Sequence, residues 1–446
     1  MRELRRRSLL GGCLAAVATA GCARLGLGPT AASQRTPLLV AAHDLLPVGA
    51  ALAAAWAATH PSSRLMLESD IGPPPRYQTP DAAFAHADVG ETMGDGNLWG
   101  GLAPYLDLAP LVRQANFDLG RLVPSAVRAF MLGSDLVGLP LYCTPYVLLV
   151  HAPLLQSLGI RHPVAEPWSL AEMEAAVATA AASRAVPATA QLIAGSPWSD
   201  VRIWGAFVLG LGGALTAADG ALDWTGPACV AATRALLGLA GAARWAGPGP
   251  GAGVGFVRAF TGQAAQTLFA LQPYMTNPGG GPIGATTPGN RFPLLPANPL
   301  IPAYQTQGLS VLGRSPRPEL AVEFLLWLYE DGQQRVLVTG GIPPMVTDRP
   351  ALRALWSAAT PGGQDKAALF DPAHLVDVLG LLPQGGYVMR GDYDATLGPA
   401  LLAAAGDPAS TAAELGAAQQ AIARRIAQES VSTLCQLSHA QSCPRP

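Results

Sequence analysis

The feature that most constrains the fold of this chain is a strand, helix and strand pattern in residues 37–68. Residues 37–42 (PLLVAA) form a short apolar run of strand length. Apolar residues then recur at helical spacing over 48–59, and 64–68 (RLMLE) predict a second strand. Because two strands joined through a helix normally pair in parallel, the sequence predicts an α/β fold.

Strands and helices continue to alternate further along the chain. Ala87-Asp88-Val89 is typical of the end of a third strand, and the apolar run over 141–150 predicts a buried strand long enough to cross between two lobes. Ser169 and Glu172 stand three residues apart before an apolar-periodic segment, which predicts a capping box. Further helix starts are predicted at Ser315, for a helix over 319–328, and at Thr411 with Glu414, for a helix that ends near 430.

Length and charge limit the architecture and the partners. The chain has 446 residues, more than one hydrophobic core usually supports, so two lobes are expected. It carries 28 basic and 30 acidic residues, and loss of 1–21 would leave 24 and 29, so nucleic acid is not an expected partner. After Cys22 no stretch holds about eighteen uninterrupted apolar residues, so no internal membrane span is predicted.

The N-terminus predicts export from the cytosol. Arg5-Arg6-Arg7 precede an apolar run over 9–20, which is typical of a signal peptide and too short for a membrane-spanning helix. Thr19-Ala20-Gly21-Cys22 resembles a bacterial lipobox, with a competing match at Leu10-Gly11-Gly12-Cys13. We therefore expect a signal peptide over 1–21, lipidation of Cys22 and a linker over 22–35. The lipid would anchor the chain to the cell membrane, either in a periplasm or on the outer face of the cytoplasmic membrane.

The export route stays open at this stage. Arg6-Arg7-Ser8-Leu9-Leu10 resembles a twin-arginine signal, which implies export after folding. A plain basic region for the general export pathway fits the same residues. Both routes deliver the mature chain outside the cytosol.

The mature cysteines and histidines predict no metal site. An oxidising compartment permits a disulfide between Cys435 and Cys443, in the expected tail over 435–446, and a pair of Cys143 with Cys229 is the alternative. The spacing of Cys143 and Cys229 does not match a zinc site, and the histidines are scattered. No cofactor is expected.

The order of short motifs along the chain resembles a known family. These motifs are Ala87-Asp88-Val89, Leu106-Asp107-Leu108, Gly138-Leu139-Pro140, Val150-His151, Pro167-Trp168-Ser169, Phe260-Thr261-Gly262, residues 318–325 (PELAVEFL) and Gly341-Ile342-Pro343. In this order they resemble the extracellular solute-binding proteins of ABC importers, nearest to the sugar-binding group that includes maltose-binding protein. The resemblance runs from about 37 to 435.

The resemblance implies two α/β lobes joined by crossing hinge strands, with a ligand cleft between them. Mapped onto this chain, lobe one takes 36–143 plus 286–310, and lobe two takes 144–285 plus 311–434. Such lobes close around a ligand by hinge motion. The implied activity is capture of a small polar solute, a mono- or oligosaccharide in particular, and its delivery to an ABC permease. The implied protein is a monomer and performs no catalysis.

The resemblance also points to candidate ligand-binding residues at strand ends and cleft loops. Aromatic rings can stack on the apolar face of a sugar, whereas Asp, Glu and Gln pair with its hydroxyl groups. The candidates are His43, Asp44, Glu91, Thr92, Tyr142, Thr144, Trp198, Gln272, Tyr274 and Tyr387. For several of them a structural role competes: Trp198 can be lobe core, Asp44 can be a carboxylate at a helix N-terminus, and Tyr142 can pack in the hinge.

Two departures from the family pattern keep other functions open. Residues 262–266 (GQAAQ) and 270–274 (ALQPY) stand where relatives usually carry a lysine and then a stacking tryptophan, and 304–308 (YQTQG) replaces a double glycine. These changes favour an atypical solute, or a sensor or interaction lipoprotein that kept the fold without transport. A carbohydrate hydrolase is a further alternative, although no Gly-x-Ser-x-Gly or His-Glu-x-x-His motif supports it.

Overall fold

The structure is a computed structural model that describes most of the chain after residue 36. The described residues are 37–68, 87–93, 105–132, 135–150, 152–160, 168–195, 197–245, 267–273, 303–342, 344–345, 348–359, 376–382 and 390–437. The expected signal peptide over 1–21, the linker over 22–35 and the lipidation site Cys22 lie outside them.

The opening strand, helix and strand pattern is confirmed. Strand β1 (Leu38–Ala41) leads into helix α1 (Gly49–Thr59), and strand β2 (Leu65–Glu68) follows. The two strands pair in parallel, with Leu38 opposite Leu65. Leu38, Leu52 and Trp56 are buried, so the helix covers the strand pair with its apolar side.

The strands form one long mixed sheet and one small hairpin. The order of the long sheet is β2-β1-β3-β9-β6-β8-β7, with β10 paired to β9, and β4 pairs with β5 in the hairpin. The remaining strands are β3 (Val89–Met93), β4 (Met131–Leu132), β5 (Asp135–Leu136), β6 (Leu139–Val150), β7 (Ile193–Gly195), β8 (Phe269–Pro273), β9 (Ala303–Val311) and β10 (Val376–Asp377). The sequence pattern placed the end of the third strand at Ala87-Asp88-Val89. In the structure the third strand instead begins there, at Val89.

Strand β6 crosses between the two halves of the molecule, as its apolar run predicts. Its first half pairs antiparallel with β9 from Leu139 to Pro145. Its second half pairs antiparallel with β8 from Tyr146 to Val150. One continuous strand thus belongs to both parts of the sheet.

The helices cover the sheet in two groups. The capping box predicted at Ser169 and Glu172 is present at the start of α5. The helices after α1 are α2 (Ala109–Gln114), α3 (Pro124–Arg128), α4 (Ala152–Ser157), α5 (Leu170–Ala182), α6 (Val201–Gly210), α7 (Pro227–Ala243), α8 (Pro318–Trp327), α9 (Asp331–Thr339), α10 (Pro350–Ala359), α11 (Val378–Leu381), α12 (Arg390–Gly406) and α13 (Thr411–Leu437). Among these described helices, none is long and apolar enough for a membrane span.

Two hydrophobic cores define two lobes. The first core contains buried side chains of 38–142, 309–311 and 321–356, and the second contains those of 154–269 and 378–422. Residues 318–359 therefore pack with the first lobe, whereas the sequence assigned everything after 311 to the second. The reason is an aromatic contact: Trp56 of α1 meets Phe324 and Trp327 of α8 edge to face, at centroid distances of 5.6 and 5.1 Å.

The predicted helix cap at Ser315 is wrong. Helix α8 begins after Arg317, whose side chain makes no cap hydrogen bond. The Ser315 hydroxyl instead donates to Asp88 Oδ1 at 2.7 Å, and Arg317 Nη2 donates to Asp88 Oδ2 at 2.6 Å. The position fixes a buried carboxylate on a distant strand, which is a contact that local spacing does not reveal.

The second predicted capping box also differs from the structure. Thr411 has helical backbone angles and its hydroxyl donates to the Pro408 carbonyl at 2.7 Å, so it lies inside the helix start and does not precede it. A 3-10 turn over Pro408–Ser410 comes first, and Asp407 caps that turn. Helix α13 ends at Leu437, beyond the expected end near 430.

Cys229 is buried and free, so the alternative pair of Cys143 with Cys229 is wrong. The thiol lies in the second core on helix α7. The preferred pair of Cys435 with Cys443 falls partly outside the described residues, since Cys443 is not among them.

Candidate functional site

Two carboxylates lie near the carboxyl end of the parallel strands of the first lobe. Asp44 follows β1, within a 3-10 helix over His43–Val48. Glu91 lies in β3, one residue beyond the last pair that β1 makes with β3, which joins Ala41 to Gly90. Ligands of open α/β sheets bind outside this strand edge. The positions of Asp44 and Glu91 therefore suit ligand contact.

Hydrogen bonds join these carboxylates to a tyrosine on the crossing strand. The Tyr142 hydroxyl donates to Asp44 Oδ2, and the Asp44 backbone N–H donates to Glu91 Oε2 at 3.2 Å. The first N–H groups of a helical turn lack an acceptor within the helix. Glu91 therefore accepts the hydrogen bond of a backbone N–H group that has no acceptor within its own turn. Three of the residues proposed from sequence are thus brought together.

Gln307 on strand β9 completes the cluster. With its amide nitrogen turned towards its neighbours, Nε2 lies 3.0 Å from Glu91 Oε1, 3.0 Å from Asp44 Oδ2 and 2.9 Å from the Tyr142 hydroxyl. This orientation is the one that pairs the amide donors with acceptors. We refer to Asp44, Glu91, Tyr142 and Gln307 as the four-residue group.

The four-residue group is largely shielded from solvent but acidic. Glu91 and Gln307 are each 7% exposed and Tyr142 is 9% exposed, while Asp44 is half-buried. Ionised carboxylates accept hydrogen bonds and donate none. A solute that contacts this surface must therefore bring hydrogen-bond donors. No cluster of three or more His, Cys, Asp or Glu side chains suited to a metal ion occurs in the described part of the chain.

Local backbone features aim Tyr142 at the group. The ladder between β6 and β9 is irregular between Pro140 and Tyr142, and such irregularities re-aim side chains. The buried Tyr329 hydroxyl donates to the Pro140 carbonyl, and burial raises the pKa of Tyr329 above its ordinary value. Tyr329 therefore keeps its proton and holds this bend in place.

Thr92 lies apart from the four-residue group. Successive strand residues point to opposite faces, so Thr92 faces away from the side chain of Glu91. Its hydroxyl lies 3.0 Å from that of Ser310, and both side chains are fully buried. The side chain of Thr92 therefore makes its contact in the interior of the first lobe.

For the other candidate residues the structure describes fewer contacts. Trp198 is 5% exposed and packs in the second hydrophobic core, in agreement with its alternative interpretation as lobe core. The backbone of Thr144 pairs with Gln305, and that of Gln272 pairs with Val147. His43 begins the 3-10 helix. Tyr274 and Tyr387 lie outside the described residues.

Sequence reasoning missed Gln307 as a site residue. The only signal was the replacement of a double glycine by residues 304–308. Its role depends on the register of β9, which places Gln307 opposite Met93 of β3 and opposite Tyr142 of β6. That register joins residues more than 160 positions apart, so no local pattern contains it.

Comparison with solved structures identifies the fold. A putative oligosaccharide periplasmic-binding protein from Synechococcus sp. MITs9220 matches with a TM-score of 0.63 and 17% identity, over 88% of this chain and 100% of that one. UgpB from Mycobacterium tuberculosis, in complex with glycerophosphocholine, matches with a TM-score of 0.61 and 16% identity, over 88% and 98%. An ABC substrate-binding protein from Listeria monocytogenes, in complex with cycloalternan, matches with a TM-score of 0.60 and 13% identity, over 87% and 97%.

The chain therefore has the two-lobed α/β fold of periplasmic binding proteins, and the expected resemblance to sugar-binding proteins of ABC importers is confirmed at the level of the fold. No protein-family model and no curated protein sequence matches the chain. The function must accordingly be argued from the site.

Proposed function

We propose that this protein is an extracytoplasmic receptor that captures a small polar solute, a carbohydrate in particular, for an ABC importer. The observation that carries the proposal is the four-residue group at the carboxyl edge of the first-lobe strands. Two of its members lie on β6 and β9, the strands at the junction of the lobes. Two of the solved structures compared above are binding proteins by name, which supports capture without catalysis.

The chemistry of the group favours a hydroxylated solute. Two carboxylates offer several acceptor positions, and sugar hydroxyl groups supply matching donors. Hydrogen bonds to charged acceptors are stronger than those between neutral groups. Cycloalternan and glycerophosphocholine, bound by two structural neighbours, are both rich in oxygen, but only the former is a carbohydrate.

The remaining contacts are proposed for the cleft between the lobes. His43, Thr144, Gln272, Tyr274 and Tyr387 stay proposed ligand contacts on the strength of the family resemblance. Trp198 packs in the second core and the Thr92 hydroxyl lies against that of Ser310, so only the family resemblance supports these two as ligand contacts.

The cellular context is part of the same proposal. The basic and apolar N-terminus followed by Cys22 supports export and lipid anchoring. An anchored monomer would hold its solute close to the membrane permease that receives it. One structural neighbour is named a periplasmic-binding protein, which agrees with a location outside the cytosol.

Thermal unfolding in the presence of candidate solutes tests the proposal. The mature chain is heated with mono- and oligosaccharides, polyols, amino acids, polyamines and phosphate esters. A solute at about a hundredfold excess over its dissociation constant stabilises the folded state by about 2.7 kcal/mol, which raises the midpoint by some degrees. We expect a saccharide to do so. A shift caused only by phosphate esters, or no shift with any solute, would contradict the proposal.

A further inference from the structure

Gln307 occupies a fixed position between two strands that carry site residues. It lies opposite Met93 of β3 on one side and Tyr142 of β6 on the other. The next residue, Gly308, makes a very close approach: a Cβ there would lie 2.3 Å from the Leu139 carbonyl oxygen. The backbone of β9 is therefore packed tightly at the residue that follows Gln307.

The amide of Gln307 is the shared donor of the four-residue group. Its Nε2 lies within 3.0 Å of both Asp44 and Glu91, and within 2.9 Å of the Tyr142 hydroxyl. Two carboxylates that face each other in a shielded place repel. A neutral amide with two N–H donors offsets that repulsion and adds no charge. Gln307 Nε2 thus lies where one amide group can donate to both carboxylates.

We propose that Gln307 is the positioning residue of the site: its amide nitrogen holds the Asp44 and Glu91 carboxylates side by side as one acceptor surface for solute hydroxyl groups. The proposal rests on the proposed function for its ligand and adds a residue that decides specificity. A surface of paired carboxylates disfavours anionic solutes, because like charges repel across a site of low dielectric.

The test begins without a ligand. The Asp44 amide donates to Glu91 Oε2, so its hydrogen exchange reports whether the Glu91 carboxylate stays in place. Hydrogen exchange with mass spectrometry is measured on the peptide that contains Asp44, in the wild type and in Gln307→Met. Methionine has a similar length but no donor. We expect exchange at Asp44 to become about tenfold faster, because the carboxylates separate.

A matched control separates positioning from general stability. Gln334 is also buried, and its Nε2 donates to the Leu328 carbonyl at 2.8 Å, which is not part of the four-residue group. Gln334→Met is expected to lower the unfolding midpoint and to leave Asp44 exchange unchanged. Gln307→Asn serves as a second variant in case methionine prevents folding: it keeps an amide but is too short to reach both carboxylates, so we expect a partial increase in exchange.

Solute binding supplies the second readout. With the saccharide that most stabilises the wild type as probe, Gln307→Met is expected to weaken binding about tenfold or more, and Gln334→Met to leave it unchanged. Faster Asp44 exchange in Gln307→Met, with no saccharide stabilising the wild type, would support the positioning role and overturn the proposed function. Unchanged Asp44 exchange in both Gln307 variants would overturn the positioning role even if a saccharide binds. An equal increase of Asp44 exchange in Gln334→Met would overturn it as well.

Discussion

Single residues from four separate segments meet at the candidate site. Asp44 follows β1, Glu91 lies in β3, Tyr142 lies in β6 and Gln307 lies in β9. Each bond within the group crosses between segments, so the group exists only when the first-lobe sheet is assembled. At this scale the side-chain chemistry defines what can bind: a donor-rich solute suits two carboxylates.

Cys229 allows a prediction about a single thiol. Burial in the second core raises its pKa to about 12, and the negative charge of Asp223 adds to the effect. A raised pKa keeps the thiol protonated, and the thiolate is the reactive form. At about pH 8 we expect the folded chain to react with iodoacetamide on the order of a thousandfold more slowly at Cys229 than a free cysteine does.

Mass spectrometry of the peptide that carries Cys229 measures this rate in buffer and in guanidinium chloride. Denaturant is expected to restore ordinary reactivity, because unfolding exposes the thiol. Equal labelling of Cys229 under both conditions would show that the thiol is accessible in the folded chain.

At the residue scale, the position of a candidate could be predicted from the sequence where a predicted strand end lay beside it. Asp44 follows the apolar run of β1 and Glu91 follows Asp88-Val89, so their placement near one edge of the sheet could be inferred. Gln307 could not be inferred, because its neighbours depend on strand register. Trp198 shows a different limit of sequence analysis. From the sequence alone an aromatic side chain in a loop fits a ligand contact and a core position equally well, and in the structure Trp198 packs in the core.

At the scale of elements, a buried ion pair ties three segments together. Asp88, just before β3, accepts from Arg317 Nη2 at 2.6 Å and from the backbone N–H of Leu39 in β1 at 2.9 Å. The side chains of Asp88 and Arg317 are 4% and 7% exposed. Strand β1, strand β3 and the start of helix α8 are thereby fixed to one another.

Replacement of Asp88 by asparagine is expected to destabilise the fold strongly. The change keeps the shape but leaves the Arg317 charge without its ionised partner, and breaking a buried pair costs about 3–5 kcal/mol. Denaturant unfolding followed by circular dichroism measures the loss. Asp331→Asn is the matched control, since the carboxylate that pairs with Arg335 at 2.9 Å and with Arg349 at 3.5 Å is 56% exposed. We expect that control to change the free energy of unfolding by less than about 1 kcal/mol.

A loss of unfolding free energy in Asp88→Asn no larger than in Asp331→Asn would contradict this view of the ion pair.

The same network explains one failed sequence prediction. Ser315 precedes an apolar helix and fits the pattern of a cap, but its hydroxyl binds Asp88. Local spacing predicts α1, β6 and the Ser169 cap correctly, because their signals lie within the element; Ser315 acts across 227 positions.

At the scale of the whole molecule, helix α11 links the two lobes. Val378 is buried in the second core, whereas Gly380 packs against α3 of the first lobe. A Cβ at Gly380 would lie 2.2 Å from the Ser125 carbonyl oxygen. This contact joins the lobes without using any residue of the four-residue group.

Gly380→Ala is therefore expected to push the lobes apart at this contact. The added methyl group overlaps backbone, which cannot move as a flexible side chain does, so we expect a cost of about 1–3 kcal/mol. Small-angle X-ray scattering is expected to show a changed radius of gyration. Gly238→Ala, in α7, is the control, because a Cβ there meets nothing within 4 Å. Identical scattering and stability in the two variants would contradict a tight contact between the lobes at Gly380.

The two-lobed architecture was predictable from length and motif order, but the boundary between lobes was not. Helices α8, α9 and α10 return to the first lobe because their buried apolar residues complete the core that α1 also joins, among them Trp327, Leu337 and Trp356. The local pattern of 318–359 does not indicate whether these helices cover the first lobe or the second. Long-range packing decides that assignment.

Capture of a solute at the four-residue group is the central claim, and titration calorimetry tests it most directly. The saccharide that best stabilises the protein is titrated into the wild type, Asp44→Ala and, as a surface control, Asp331→Ala. We predict saturable binding of one solute per chain, a loss of about tenfold to a hundredfold in Asp44→Ala, since a hydrogen bond to a charged group contributes about 1.5–3 kcal/mol, and an unchanged affinity in Asp331→Ala. Absence of saturable binding to the wild type, or equal affinity in Asp44→Ala, would contradict the claim.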